Sequence, residues 1–140
     1  ISKAKDDVEV EISVQYNSGY SEEIFTYVNN INTVDGGTHL TGFKSAMTRS
    51  TNKYIKENLG KNEDSALTWE DVKEGMTAII SAKVLEPQFE GQTKNKLGNS
   101  SIKGLVDSIV FDSFNSYLEE HPDVAKIIIN KKKLPIGRDF

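Results

Sequence analysis

The sequence contains no cysteine among its 140 residues, which excludes disulfide bonds, thiolate metal ligands and cysteine nucleophiles. Histidine is also scarce. Only His39 and His121 occur, without an HxxxH spacing, so a histidine metal site would need carboxylates from distant segments. We therefore predict no bound metal ion. The absence of cysteine fits a reducing compartment.

Long apolar runs are absent too. No stretch approaches the roughly 20 residues of a membrane helix, and the first residues lack the build of a signal peptide. A net charge of −4 and a pI near 5.2 argue against nucleic-acid binding by bulk electrostatics. We expect one soluble domain with no membrane contact. Because the chain begins at Ile1, without methionine or a cleavage-site pattern, we also expect it to be part of a longer protein.

The first half of the chain changes from a two-residue period to a helical one. Apolar and polar residues alternate over residues 8–16, which predicts a strand with one buried face. Residues 24–31 supply a second strand, and the intervening "YNSGY" indicates a hairpin between the two. After a Gly-Gly pair, Thr38 is predicted to cap a long helix that Gly60 ends.

The second half contains a helical turn, a strand and two helices. Thr68 and Asp71 resemble a capping box that opens the turn, and the β-branched run of residues 75–87 predicts a buried strand. Apolar residues at three- and four-residue spacing then predict the strongest helix of the chain over residues 102–118.

Asn99 or Ser100 is predicted to cap this helix, and Pro122 suits the first position of another helix that ends before the run Lys131 to Lys133. Strands, helix, strand and helices in this order predict an α+β fold of two layers. Its mainly antiparallel sheet carries the helices on one face.

Two glycine-containing segments before helices are candidate anion sites, because unpaired N–H groups and the helix dipole favour negative charge there. In "GGTH" the simpler interpretation is a tight turn with Thr38 as the cap. The segment "EPQFEGQTKNKLGNS" lacks the GxxxxGK[ST] and GxGxxG patterns of nucleotide-binding loops. It leaves Gln92, an amide donor, and Lys94, an ammonium group, at the tip of the loop. From the residues alone, Lys94 is either a phosphate ligand or an ordinary solvent-exposed lysine.

No catalytic set is visible in the sequence. Acidic pairs such as Glu22 and Glu23 are adjacent, so their side chains diverge, and no serine stands in a GxSxG elbow. The run Lys131 to Lys133 suits either a DNA phosphate contact or a solvated helix end.

Several ordered blocks resemble one protein family. The blocks are "YNSGY", "YVNNINT", "GGTH", "GFKSAMTR", "EGMTAIIS" and "EPQFEGQTKNKLG". With them, the chain from about Val8 to Asn130 resembles the second domain of gyrase B proteins and of their topoisomerase IV counterparts, the transducer domain of bacterial-type type II DNA topoisomerases. The resemblance implies a fold like the second domain of ribosomal protein S5, with a left-handed β-α-β crossover contrary to the usual hand.

The resemblance also implies a role for the loop. In the family, the lysine of the "QTK" motif, here Lys94, reaches into a neighbouring nucleotide-binding domain and contacts the γ-phosphate of ATP, with the glutamine, here Gln92, beside it. A lysine at a loop tip interacts more strongly with a triphosphate than with a diphosphate, so Lys94 would sense the nucleotide state and relay it to DNA strand passage.

Domain boundaries and partners follow from the same resemblance. Residues 1–130 would be the transducer domain, and residues 131–140, which contain a proline and a glycine, an atypical tail outside the core. The implied cofactor is ATP with Mg²⁺, held mainly by a domain that this chain lacks. The implied partners are the N-terminal ATPase domain of the same protein, a gyrase A or topoisomerase IV A-type subunit, and DNA through the holoenzyme.

The full-length protein would dimerise on ATP binding, whereas this chain alone is expected to be monomeric and inactive. The implied location is the cytoplasm near the bacterial nucleoid, or an organelle in a eukaryote. Two alternatives stay open: an S5-like module that binds nucleic acid or protein without a nucleotide role, and the second domain of a mismatch-repair ATPase, against which "NNINT" and "GGTH" speak. The sequence leaves gyrase and topoisomerase IV equally possible.

Overall fold

Five strands form one mixed sheet in the order β1-β2-β5-β3-β4. The computed structural model describes residues 1–5, 7–17, 19, 21–58, 66–90, 94 and 96–133, with the side chains of residues 5 and 130–133 left out. Neighbouring strands are antiparallel except β3 and β5, which are parallel. The strands are β1 (Ser2–Lys5), β2 (Val8–Tyr16), β3 (Glu23–Val28), β4 (Ile31–Asn32) and β5 (Met76–Lys83).

Four helices complete the described part of the chain. The two long helices pack against each other on one face of the sheet, so the predicted two-layer α+β architecture is confirmed. Between the parallel neighbours β3 and β5 the chain passes through β4 and two helices, which makes a β-α-β crossover whose left hand remains a prediction. None of the described helices is long and apolar enough to cross a membrane. The helices are α1 (Thr38–Asn58), α2 (Trp69–Val72), α3 (Ser100–Glu120) and α4 (Pro122–Lys133).

The core lies between the helices and one face of the sheet. Side chains alternate between buried and exposed along β2 and along β5, as the two-residue period of a strand requires. The helices cover this face with the apolar residues that recur along α1 and α3. The fully buried side chains include Val10, Val28, Phe43, Met47, Met76, Ile80, Leu97, Val106 and Val110.

The predicted hairpin between residues 8–16 and 24–31 is wrong. Strand β5 lies between β2 and β3 and pairs with both, so the connection at residues 17–22 spans two strand spacings, roughly 10 Å. A true hairpin forms instead between β3 and β4, where Asn29 and Asn30 take positive φ angles of 50° and 68°. Adjacent residues with positive φ match the twist of a two-residue hairpin turn.

Three other expectations need correction. Strand β5 is buried on one face only, since Ile79 is 45% exposed, because the helices occupy a single side of the sheet. Thr38 is the first helical residue rather than a cap, and the carbonyl of Gly37 before it accepts the N–H of Thr41. Helix α4 continues through Lys133, three residues beyond the predicted end. The sequence reasoning also missed β1, and Gly60 lies outside the described residues.

Gly42 permits the close approach of the two long helices. A Cβ atom at this position would lie 2.4 Å from the carbonyl oxygen of Lys103 in α3. Beside this contact, Arg49 of α1 forms an ion pair of 2.8 Å with Asp107 of α3 and lies over the ring of Phe111, 4.3 Å from its centroid. The two helices are therefore fixed to each other both by backbone contact and by an arginine clamp.

We expect Gly42→Ala to destabilise the fold by about 2 kcal/mol, because the added methyl group overpacks the α1–α3 contact and outweighs the gain in helix propensity. Gly104→Ala is the matched control. A Cβ there meets nothing within 4 Å, so the same substitution in α3 should stabilise the fold by roughly 0.5 to 1 kcal/mol. Urea unfolding of both variants checks the sign, and an equal effect of the two substitutions would contradict the packing argument.

Candidate functional site

The segment after β5 folds back on itself as a short hairpin. The N–H of Gly98 donates to the carbonyl of Gln88 at 2.6 Å, and the N–H of Glu90 donates to the carbonyl of Lys96 at 2.8 Å. These bonds pair an outgoing arm, residues 88–90, with a returning arm, residues 96–98. We call this structure the lysine hairpin, because Lys94 lies between the two arms.

Lys94 is exposed and has a positive φ angle of 59°. Within the described residues it has no ion-pair or hydrogen-bond partner, whereas Lys96 lies 3.3 Å from the carboxylate of Glu90. Of these two lysines, only Lys94 therefore has an ammonium group that can bind a ligand from outside the described part of the chain. Gln92, the other predicted site residue, lies outside the described residues.

The lysine hairpin is joined to the start of α1 through the backbone of Leu97. The N–H of Leu97 donates to the carbonyl of Gly36 at 3.0 Å, and its carbonyl accepts the N–H of Thr38 at 3.1 Å. Gly37 lies between these partners with a φ angle of 134°, and a Cβ atom there would lie 2.4 Å from both the nitrogen and the oxygen of Leu97. Only glycine allows this approach.

The two segments treated separately as candidate anion sites are therefore one structure. Sequence reasoning missed the junction, although two signals pointed to it: consecutive glycines before a helix, and Leu97 as an apolar residue among polar ones. Leu97 is 1% exposed, so an apolar residue at this position of the returning arm is explained by its burial in the core. The N–H groups of Leu97 and Thr38 both donate within the junction, which gives these residues a structural role.

Two asparagine side chains hold the arm that leads from β5 into the hairpin. Asn29 accepts the N–H of Val84 at 2.8 Å and donates its amide N–H to the carbonyl of the same residue at 2.9 Å. Asn99 accepts the N–H of Gln88 and donates to the carbonyl of Glu86 at 3.2 Å. Asn99 occupies the cap position of α3, as predicted, but its side chain makes no cap bond because it is used here. Asn29 was not foreseen.

His39 lies beneath the junction and is fully buried. Thr26 donates its hydroxyl to the carbonyl of Thr33 at 2.7 Å, and the hydroxyl of Thr33 donates to Thr26 Oγ1 at 2.8 Å. Since each hydroxyl has one proton, the contact of 3.1 Å between Thr33 Oγ1 and His39 Nε2 requires the imidazole to donate. The proton therefore sits on Nε2, and Nδ1 has no hydrogen-bond partner in the described part of the chain.

Burial lowers the pKa of His39 to about 4, so the imidazole is neutral at physiological pH. No group of three or more histidine, aspartate or glutamate side chains that could hold a metal ion occurs in the described ranges. His121 is exposed at the end of α3, where it stacks on Tyr117 at 4.2 Å. The histidines are thus explained by packing.

Of the described residues of the site, Lys94 presents a cation without a partner, and the hydrogen-bonded hairpin supports it. Its described residues offer no nucleophile with an adjacent base, and the carboxylate of Glu90, at the end of the outgoing arm, is occupied by Lys96. The arrangement therefore fits recognition of an anion held by another domain or molecule better than a reaction within this chain.

Comparison with known proteins identifies one family to which the chain is similar. A family model described as DNA gyrase B matches residues 1–134. The DNA gyrase B protein of Clostridium acetobutylicum is 54% identical over 123 residues, which cover 87% of this chain and 19% of that protein. The DNA gyrase B protein of Chitinophaga japonensis is 55% identical over 129 residues, covering 91% of this chain and 27% of that protein.

Solved structures agree with the sequence comparison. The 43K ATPase domain of Thermus thermophilus gyrase B, in complex with an aminocoumarin, has a TM-score of 0.85 at 41% identity, covering 94% of this chain and 35% of that one. The topoisomerase IV ATP-binding domain of Francisella tularensis, in complex with a small-molecule inhibitor, has a TM-score of 0.82 at 30% identity, covering 93% and 36%. The chain thus spans only 19% and 27% of the two curated relatives.

We expect Gly37→Ala to detach the hairpin from α1 and to cost about 2 to 4 kcal/mol of stability, because the methyl group would overlap the backbone of Leu97 and the φ angle would be strained. Hydrogen exchange of the Leu97 and Thr38 amides should accelerate. Gly98→Ala is the control in the same hairpin, since its nearest atoms stay 3.3 Å away and its loss should be smaller. Unchanged amide protection in Gly37→Ala would refute the junction.

The depressed pKa of His39 predicts a loss of stability in acid. Between about pH 6.5 and pH 4 the unfolded chain binds a proton at this imidazole that the folded chain does not, so unfolding becomes more favourable as the pH falls. The free energy of unfolding is therefore about 3 kcal/mol higher above pH 6.5 than at pH 4, and this difference is lost progressively as the pH falls between the two values.

Urea unfolding across this pH range measures the effect against His39→Gln, whose amide can still donate to Thr33 but does not titrate. The variant should be less stable at pH 7 and should lose less stability on acidification. Parallel pH dependences of the two proteins would show that His39 is not the group responsible.

Proposed function

Because the chain belongs to the DNA gyrase B family, we propose that it is the transducer domain of an ATP-dependent type II DNA topoisomerase. Residues 1–130 form this domain, which carries the nucleotide state of the ATPase region toward DNA strand passage. We take residues 131–140 as an atypical tail; the first three of them continue α4, and residues 134–140 lie outside the described residues. The observation that carries the proposal is Lys94, exposed and without a partner among the described residues, on a hairpin bonded directly to α1.

The ligand of Lys94 is the γ-phosphate of ATP. A triphosphate bound by a neighbouring domain offers a concentrated negative charge, and after hydrolysis the terminal phosphoryl group leaves. The contact energy of the ammonium therefore differs between the two nucleotide states, which is the condition for a ligand to shift a conformational equilibrium. Gln92, two residues earlier, supplies an amide donor to the same phosphate group.

The junction at Leu97 gives this contact a route into the domain. Force on the tip reaches α1 through the bonds of Leu97 to Gly36 and Thr38, at 3.0 and 3.1 Å. Helix α1 is in turn fixed to α3 by the close approach at Gly42. The hairpin and the two helices therefore move as one unit when the γ-phosphate is bound or lost.

The cofactor and partners belong to the parent protein. ATP with Mg²⁺ binds mainly to an N-terminal ATPase domain of the same polypeptide, which dimerises on ATP binding. The parent protein acts with a gyrase A or topoisomerase IV A-type subunit on DNA, in the bacterial cytoplasm or in an organelle. This chain alone hydrolyses no ATP and is monomeric.

We expect Lys94→Ala in the full-length protein to lower the rate of ATP hydrolysis by about 10²-fold, the size typical of losing one donor that stabilises transition-state charge. ATP binding should weaken much less, because most contacts to the nucleotide belong to the other domain. Steady-state hydrolysis and equilibrium binding of a non-hydrolysable analogue measure the two effects separately.

Lys96→Ala is the matched control. It removes a lysine two residues away that is already paired with Glu90, so hydrolysis should stay within about twofold of the wild type. A wild-type rate in Lys94→Ala, or equal losses in both variants, would sink the proposed contact with the γ-phosphate.

A further inference from the structure

The arm between β5 and the lysine hairpin, residues 84–87, is held by side chains instead of a β-ladder. Strand β5 ends at Lys83, and Leu85 is 79% exposed. In the described part of the chain, every hydrogen bond to the backbone of this arm comes from Asn29 or Asn99. The next backbone bond along the arm, between Gln88 and Gly98, already belongs to the hairpin.

Asn29 prolongs the sheet by one residue beyond the end of β3. Its backbone N–H donates to the carbonyl of Ala82 at 2.9 Å, after which the chain turns away toward β4. The side-chain amide then replaces the missing strand, since it offers Val84 one acceptor and one donor as a peptide group would. Asparagine also tolerates the positive φ angle of 50° that the turn imposes here.

Asn99 closes the base of the hairpin from the opposite side. Asn99 follows Gly98, the last residue of the returning arm. Its bonds to Glu86 and Gln88 tie this end of the hairpin to residues 84–87 and to the first residue of the outgoing arm. Both asparagines therefore act on the same few residues, one from the sheet and one from the start of α3.

We propose that Asn29 and Asn99 are positioning residues that fix the direction in which the hairpin presents Lys94. This proposal rests on the proposed contact of Lys94 with the γ-phosphate. Without the two amides, residues 84–87 gain conformational freedom. The entropy lost when they are ordered then adds to the free energy needed to place the ammonium on the phosphate. Neither asparagine touches the nucleotide.

The test uses Asn29→Gly and Asn99→Ala, with Asn30→Gly as the control. Glycine at position 29 keeps the positive φ angle and removes only the amide. Asn30 has a φ angle of 68° in the same turn and, among the described residues, makes no side-chain hydrogen bond, so its replacement relaxes the turn equally without removing a bond to the arm.

In the full-length protein, Asn29→Gly and Asn99→Ala should each lower ATP hydrolysis by about tenfold, as expected for losing a pair of hydrogen bonds. Asn30→Gly should stay within about twofold. The decisive measurement repeats each substitution in a Lys94→Ala background, where a residue that acts through Lys94 causes no further loss. An undiminished loss in that background would overturn the positioning role.

Asn99→Asp is the conservative variant. It keeps the acceptor for the N–H of Gln88 but loses the donor to Glu86, and its charge suits the start of a helix. Hydrolysis should therefore recover to a rate between those of Asn99→Ala and the wild type. A rate equal to that of Asn99→Ala would show that the acceptor contact with Gln88 contributes nothing.

Hydrogen exchange of this chain tests whether the asparagines fix the hairpin, independently of whether Lys94 contacts the γ-phosphate. The Gly98 and Glu90 amides, which neither asparagine binds, should exchange about tenfold faster in Asn29→Gly and Asn99→Ala and unchanged in Asn30→Gly. If Lys94→Ala hydrolyses ATP normally, the γ-phosphate contact fails, yet faster exchange still supports the role in fixing the hairpin. Unchanged exchange in both variants overturns it.

Discussion

The structure depends on a backbone contact that excludes any side chain larger than hydrogen. At Gly37 the returning arm of the lysine hairpin lies so close that a Cβ atom would be 2.4 Å from two backbone atoms of Leu97. This proximity lets Leu97 bond to the residues on both sides of Gly37, and so makes the hairpin a continuation of the turn before α1. A longer, side-chain-mediated link would leave the tip free to move without α1.

The groups around this contact follow one physical rule: a buried or turning backbone needs hydrogen-bond partners that strands and helices do not supply there. Asn29 supplies them to Val84, Asn99 to Glu86 and Gln88, and the hydroxyl pair of Thr26 and Thr33 to the turn above His39. Short polar side chains suit this task because they lose little conformational entropy on ordering. A neutral His39 completes the set without placing a charge in the core.

Periodicity in the sequence was sufficient for the elements that pack on one face. The alternation in β2 and the three- and four-residue spacing in α3 predicted both correctly, because local pattern and burial agree there. The strand order was not predictable in this way, since the insertion of β5 between β2 and β3 is decided by pairing between segments far apart in the chain. A hairpin was expected because neighbours in sequence usually pair.

The site was only half predictable for a related reason. The exposed position of Lys94 follows from a polar loop, but its support does not, because only the fold brings Asn29, Gly37 and Asn99 to their partners Val84, Leu97 and Gln88. Asparagine before a helix was interpreted as a cap, since local rules favour that role. The tertiary contact is more favourable, because the amide of Asn99 satisfies two backbone groups, the N–H of Gln88 and the carbonyl of Glu86, whereas a helix cap satisfies one.

In the proposed role, the domain relays a signal from a single charge and must lose little of its contact energy to its own flexibility. The net charge of −4 provides no general attraction for phosphate, so the proposed recognition would rest on where the ammonium is held. A rigid hairpin transmits displacement and a loose one absorbs it, because ordering a few residues costs about as much as one phosphate contact supplies. Three features therefore serve the same requirement, a rigid hairpin: the buried Leu97, the two asparagine amides and the fixed α1–α3 pair. For the proposed function, the free energy gained at the tip has to move helices and not to order the loop.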